Sequence, residues 1–379
     1  MDVAFNATAL LSPLTGIGQY SHHLAMGLSQ VGDVNVNFFY GSGWSPKVRS
    51  NPLPKVAMLK TWVHWLLPNS YDVARMLQQR QFSKGVEKAR PDIYHEPNFL
   101  AYRFDRPSVI TVHDLSWIRY PEMHPTARVK SMNKYFQPGL DRASLIMTDS
   151  EFVKRELIEV FGVKPERIRP VLLGVEASFH PRSVEKTRAV MSANQLTHGQ
   201  YIIAVGTLEP RKNLSVVLRA FMQLSSPLRN RFPLVLVGMK GWHTSALEKQ
   251  MAPLIAAGEI RMLGYLSRED LAAVLAGATA LVYPSIYEGF GLPPLEAMAC
   301  GVPVITSNVS SIPEVVGDTG VLLDPQDVDG FTRAMELLIT SPDVRATMAA
   351  RALERSRQFS WAQCVSETVD AYKFVLRSS

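Results

Sequence analysis

The sequence predicts an α/β protein made of two doubly wound domains, and three observations carry that expectation. The chain has 379 residues, a length for two domains at roughly 150 residues each. Short strand-like runs alternate with helical stretches along nearly all of it. The strand runs are continuously apolar, as in parallel strands covered on both faces, rather than alternating. Domains of this kind bind ligands at the carboxyl ends of their strands, so the expected site lies where the two domains face each other across a cleft.

In the first half, strands are read at 3–6, 34–40, 93–95, 109–112 and 145–148. A glycine loop at Gly16 and Gly18 precedes a helix near 19–30, and a second helix covers 151–161. In the second half, strands at 201–205, 234–238, 260–263, 280–283, 302–305 and 321–323 are separated by helices at 214–224, 245–255, 268–275, 294–300 and 329–339. The polar stretch 181–200 between the two series reads as the linker. The domains then cover 1–180 and 195–357.

Composition narrows the class. Hydrophobic residues make up 46% and charged residues 20%, which excludes a disordered or fibrous chain. No apolar run approaches the roughly 18 residues of a membrane span, and the first residues lack a basic signal-peptide start, so a cytoplasmic protein is expected. Two cysteines, Cys300 and Cys364, build neither a disulfide framework nor a four-thiolate zinc site. The nine histidines show no metal-ligand spacing, and no metal is expected. Charge is uneven: residues 1–190 carry 24 Lys and Arg against 17 Asp and Glu, whereas the rest carry 16 against 17. A basic first half suits an anionic partner such as a membrane surface or a lipid phosphate, and 55–67 adds Trp62 and Trp65 to Lys55 and Lys60. Regularly interleaved basic and aromatic residues are missing from the sequence, so nucleic acid is not expected.

Four segments carry chemistry. The richest runs from Tyr283 to Gly301: a strand end, a glycine loop, prolines suited to a first helical turn, and a glycine suited to its stop. The amides of Gly289, Phe290, Gly291 and Leu292 then precede a helix N-terminus, an anion-binding arrangement. Glu288 and Glu296 stand eight apart; the spacing alone is not distinctive, since Glu151 and Glu159 repeat it, but the setting is. Their carboxylates suit hydroxyl donors, as on a sugar or ribose. Next, Gly206–Asn213 follows the first strand of the second half and brings Arg211 and Lys212, which suit a diphosphate. Third, His113 ends the strand at 109–112, where it can bond a hydroxyl or move a proton. Last, Gly16-Ile17-Gly18 allows close backbone approach, but Ser21 occupies the final glycine position of a dinucleotide fingerprint.

In this order the four segments resemble the retaining nucleotide-sugar glycosyltransferases of family 4, whose fold is GT-B, two Rossmann-like domains. The resemblance is strongest from Tyr201 to about Asp324, through Gly206–Asn213, the run Leu234 to Trp242 and the Glu288–Gly301 block. It is recognisable at 16–20 and at 113–117. It implies that Glu288 contacts the transferred sugar and Glu296 the ribose. Arg211 and Lys212, with amides near Gly289–Leu292, would hold the diphosphate. Gly16 and Gly18 would let backbone reach the donor, and His113 would touch the donor sugar near its 6-position. The last helix, 361–376, would pack on the first domain. Two departures stand out: Thr207 replaces an arginine of many members, and an Asn-Gly-Val-Asp turn reads Leu173-Gly174-Val175-Glu176. Asp327-Val328-Asp329 has the D-x-D pattern of metal-dependent sugar transferases, but its place before an amphipathic helix suits capping.

The resemblance implies a metal-independent hexosyltransferase with no cofactor. The favoured donor is GDP-mannose or a deoxy relative, and the acceptor is a lipid-linked or other saccharide in cell-surface polysaccharide assembly. UDP- and dTDP-sugars stay open as donors. A nucleotide-sugar 2-epimerase of the same architecture and a non-catalytic sugar-nucleotide-binding protein remain as alternatives, with a dehydrogenase third.

Overall fold

The computed structural model describes residues 1–12, 14–49, 70–242 and 244–378. The chain forms two compact units: Met1–Ile118 with Thr126–Gly174 and Trp361–Ser379, and Arg119–Pro125 with Val175–Ser360.

The first unit is a seven-stranded sheet of β1 (Asp2–Asn6), β2 (Asn35–Phe39), β3 (Trp44–Ser45), β4 (Ile93–Glu96), β5 (Ser108–Val112), β6 (Leu145–Thr148) and β7 (Ile168–Pro170). The order is β3-β2-β1-β4-β5-β6-β7, and only the β2–β3 pair is antiparallel. Residues Ala4, Tyr94, Ile110, Val112 and Ile146 pack under Phe136 and Leu140 of the helix Thr126–Arg142. The helix Trp361–Ser378 lies on the helix Gly16–Leu28, close enough that a Cβ at Gly27 would stand 2.3 Å from Val365. Its Tyr372 hydroxyl meets His95 Nδ1 at 2.5 Å.

The second unit is a six-stranded, wholly parallel sheet of β8 (Ile202–Val205), β9 (Leu234–Val237), β10 (Ile260–Gly264), β11 (Ala280–Tyr283), β12 (Val304–Ser307) and β13 (Val321–Leu323). The order is β10-β9-β8-β11-β12-β13. Alternate residues serve two cores: Ile203, Val235, Leu281 and Val304 face one layer, and Ile202, Leu234, Val282 and Ile305 the other. Both faces need apolar side chains, which is why these strands are continuously apolar in sequence. Where β8 and β9 end, Gly238 has φ +148°, and a Cβ there would lie 2.0 Å from the Gly206 carbonyl oxygen. Only glycine permits that approach.

Two sequence expectations need correction, at the linker and at Gly16 and Gly18, while the expected cap at Asp327 is found. The supposed linker 181–200 contains the helix Val184–Ala193, whose Thr187 and Met191 are buried; its polar look reflects how few residues it buries. The chain passes from one unit to the other at Gly174–Val175 instead. Gly16 and Gly18 do not form a loop; they open the helix Gly16–Leu28 behind an N-cap at Thr15. Asp327 caps the helix Val328–Thr340, its Oδ1 accepting the Gly330 amide at 2.8 Å. The Trp62 and Trp65 segment, 55–67, lies outside the described residues.

Candidate active site

In the second unit, strand order reverses between β8 and β11, and the crevice outside their carboxyl ends is the expected ligand position. The two loops singled out above leave from these strands. The first makes a single 3-10 turn, Pro210–Lys212, ended by Asn213 at φ +54°. Asn213 Nδ2 donates to the carbonyls of Pro284 (3.1 Å) and Pro325 (2.7 Å), and the Ile286 amide donates to the Arg211 carbonyl (3.0 Å). The loops are thus tied together by one main-chain bond and the Asn213 amide before any charge is considered.

Glu288 gathers the charged groups. Arg211 donates to its Oε2 at 2.8 Å, and Lys212 Nζ to its Oε1 at 2.6 Å. The Tyr283 hydroxyl, at the end of β11, donates to the same Oε1 at 2.8 Å and accepts from Lys212 at 2.8 Å. Arg211 also donates to Glu209 at 2.7 Å. Burial works against the Glu288 charge, but Arg211 and then Lys212 carry its pKa down to about 2. Burial pulls the Lys212 ammonium down, with Glu288 opposing. Ser310 Oγ accepts the Glu288 amide at 3.0 Å, and Ser311 Oγ lies within 2.9 Å of the Glu288 and Phe290 carbonyls. Those serines set the loop that delivers Gly289, Phe290, Gly291 and Leu292 to the helix Leu292–Ala299.

Glu296 sits in that helix, buried, in a separate cluster. Arg268 donates to it at 2.8 Å and to Glu176 at 2.9 Å, while lying over the Phe179 ring. Glu176 closes the turn that departs from the family pattern, and here it anchors the arginine that holds Glu296. The segment Arg119–Pro125 also belongs to this unit: Trp242 Nε1 donates to the Met123 carbonyl at 2.6 Å, and Tyr120 packs edge-on against Tyr287.

In the first unit, His113 follows β5 and is buried. Its Nδ1 lies 2.7 Å from Asp149 Oδ2 and its Nε2 2.7 Å from the Pro97 carbonyl. Both ring nitrogens are therefore engaged inside the protein, so an imidazole contact to a sugar hydroxyl would require Pro97 or Asp149 to give way. A Cβ at Gly16 would meet nothing within 4 Å, whereas one at Gly18 would touch Leu14.

Of the residues expected from the sequence, Arg211, Lys212 and Glu288 are brought into contact by the fold. The contacts that Tyr283, Glu209, Arg268, Glu176 and Asp149 make in these clusters were not expected from the sequence. Arg268 and Glu176 stand 92 positions apart, so no local spacing could pair them. Tyr283 was visible only as a strand end.

Sequence models of two families cover most of the chain: Glycosyltransferase Family 4 matches residues 14–179, and Glycosyl transferases group 1 matches 189–355. The O-antigen chain mannosyltransferase B of Escherichia coli is 38% identical over 99% of this chain and 100% of its own length. The chain belongs to the family 4 glycosyltransferases. Another relative of this glycosyltransferase, the MMP alpha-(1->4)-mannosyltransferase of Mycolicibacterium hassiacum, is 27% identical over 94% of each chain. Among solved structures, a sucrose-phosphate synthase from Thermosynechococcus elongatus superposes with a TM-score of 0.79 over all of both chains at 19% identity. That similarity establishes the GT-B fold.

Proposed function

We propose that this glycosyltransferase transfers mannose from GDP-mannose, with retention of configuration, to a saccharide acceptor of cell-surface polysaccharide assembly. The observation that carries the reading is the 38% identity, end to end, with an enzyme named for O-antigen mannosyl transfer. The site's chemistry supports it. Glu288, with both oxygens committed to cations, is poised to turn to sugar hydroxyls once a diphosphate occupies Arg211 and Lys212. Those cations and the amides at Gly289, Phe290, Gly291 and Leu292 would offset the leaving diphosphate's charge, leaving no step that needs a metal. Glu296, steadied by Arg268, is the ribose ligand in this reading.

No side chain among Glu288, Arg211, Lys212 and Tyr283 is placed as a free covalent nucleophile. Front-face attack, with the departing phosphate oxygen accepting the acceptor's proton, fits this set. Bond formation from acceptor oxygen to the anomeric carbon then accompanies loss of GDP. An anionic membrane surface is a second partner in this reading, fitting a lipid-linked acceptor. No described helix is long and apolar enough to cross a membrane. The helix Ser70–Ala89 instead shows Val73, Met76 and Leu77 about half exposed at helical spacing, followed by exposed Arg80, Lys84 and Lys88.

Calorimetry with GDP, UDP and dTDP in the presence of EDTA, repeated on Lys212→Ala, tests the donor side. Preference for GDP that survives EDTA and weakens in the variant is expected. Preference for UDP or dTDP overturns the mannosyl assignment.

A further inference from the structure

The protonation state of His113 follows from its two partners. Nδ1 faces the Asp149 carboxylate and Nε2 faces the Pro97 carbonyl, both at 2.7 Å, and neither partner can donate a proton when Asp149 is ionised. A neutral imidazole carries one N–H, so either tautomer would leave one nitrogen lone pair against an acceptor oxygen. With Asp149 ionised, only the doubly protonated ring satisfies both contacts; burial pushes the Asp149 pKa up, and the charge and hydrogen bond of His113 oppose that rise. His113 is 5% and Asp149 4% exposed, so water does not supply an alternative partner.

The surroundings support a cation here. Burial opposes the charge on His113, but Asp149 raises its pKa above the ordinary histidine value. From the loop after β5, Asp114 adds a weaker attraction, its carboxylate capping the Ser116 amide and hydroxyl. From β4, His95 is no competitor: burial, then the charge on His113, brings its pKa down to about 3, and its nitrogens meet the hydroxyls of Tyr372 and Thr111. Tyr20, from the helix Gly16–Leu28, and Phe99 pack edge-on at 4.9 and 5.4 Å. The loop that aims the Pro97 carbonyl is itself held. Glu96 is buried, which lifts its pKa to about 7 against the hydrogen bonds it accepts from Tyr94, Asn6 and the Asn98 amide, and Phe99 sits at φ +58°, a left-handed conformation that costs a non-glycine residue energy. Strain of that kind persists only where surrounding contacts enforce it.

We infer that Asp149 and the Pro97 carbonyl clamp His113 as a permanent imidazolium, so that Asp149 is a positioning residue of this glycosyltransferase and His113 a fixed charge rather than a base. This rests on the assignment of His113 to the transfer site. A clamped imidazolium has no lone pair for the acceptor's proton, which leaves that proton to the departing phosphate oxygen. What the ring offers an anionic donor is charge. Neither role is visible in the sequence, because Asp149 lies 36 positions from His113, just past the end of the neighbouring strand β6.

The test uses the full chain labelled with 15N at histidine, followed by NMR from about pH 5.5 to 8.5, a range in which a free histidine titrates. The His113 signal, assigned with His113→Gln, is expected to stay that of a doubly protonated ring throughout. Asp149→Asn removes the counter-charge, so the ring is expected to titrate within the range. The turnover of GDP-mannose by that variant, taken relative to wild type at the same pH, should then fall about tenfold per pH unit above the new midpoint. Recovery of the variant at low pH separates positioning from a merely structural role. A wild-type His113 that titrates or is neutral overturns the proposal without any variant. A folded Asp149→Asn whose turnover is lowered equally at every pH, or not at all, overturns the positioning role. A clamped ring in a protein whose His113→Gln variant keeps full turnover sinks the placement of His113 in the site instead, and the two failures are distinguishable.

Discussion

Glu288 holds both Arg211 and Lys212, so in the proposed function it competes with the donor's diphosphate for these two cations. With one partner gone, a buried ion pair exposes the other to an unpaired charge, at a cost of about 3–5 kcal/mol. Glu288→Gln should therefore lower the melting temperature and bind GDP at least as tightly as wild type, because the internal competitor is gone. GDP should raise the variant's melting temperature more than the wild type's. Turnover should fall all the same, since the sugar loses its carboxylate. Lys212→Ala should do the reverse to binding: weaker GDP in calorimetry, and kcat/KM lower by about 10²–10³. The pH dependence has a definite sign. Glu288 has a folded pKa of about 2, below its unfolded value, so its contribution to stability is present above the unfolded value of about 4.3 and is lost as pH falls through 2. Acid unfolding curves of wild type and Glu288→Gln should converge at the acid end and separate above it. Parallel curves contradict this account of the cluster.

The loops of the site depend on the strands that launch them. Gly238 at the end of β9 presses on the Gly206 carbonyl at the end of β8, so Gly238→Ala should cost about 3 kcal/mol or more in chemical denaturation and shift Lys212 with it. A near-neutral variant contradicts the close approach. Elements were legible in the sequence where burial was two-sided: β8, β9 and β11 appear as apolar runs, because their alternate residues feed two cores. The helix Val184–Ala193 was not legible, because it buries little beyond Thr187 and Met191 and so resembles a linker. Helices Ser70–Ala89 and Thr126–Arg142 likewise escape a search for apolar periodicity, being largely polar. The loop chemistry was readable at Arg211, Lys212 and Glu288 because strand ends and glycines mark the place. Partners such as Asp149, Arg268 and Tyr283 were not, since only the sheet order brings them to their charges.

The whole chain divides into two units, each with its own core, and its last helix returns to the first. Val365, Val369 and Tyr372 of Trp361–Ser378 are buried in that unit. Ending the chain at Ser360 should loosen the first unit in hydrogen exchange, while the second keeps its protection and its affinity for GDP. Loss of protection in the second unit contradicts this division. The whole-length similarity to an O-antigen mannosyltransferase carries the functional conclusion, and the donor is its sharpest point. The most direct measurement offers the purified protein GDP-mannose, UDP-glucose and dTDP-rhamnose with a lipid-linked saccharide acceptor and EDTA, and reads the product by mass and by anomeric NMR. The account predicts an α-mannosylated product from GDP-mannose at a rate that EDTA does not change. Transfer from the UDP- or dTDP-sugar alone, inversion at the anomeric carbon, or a rate abolished by EDTA would contradict it.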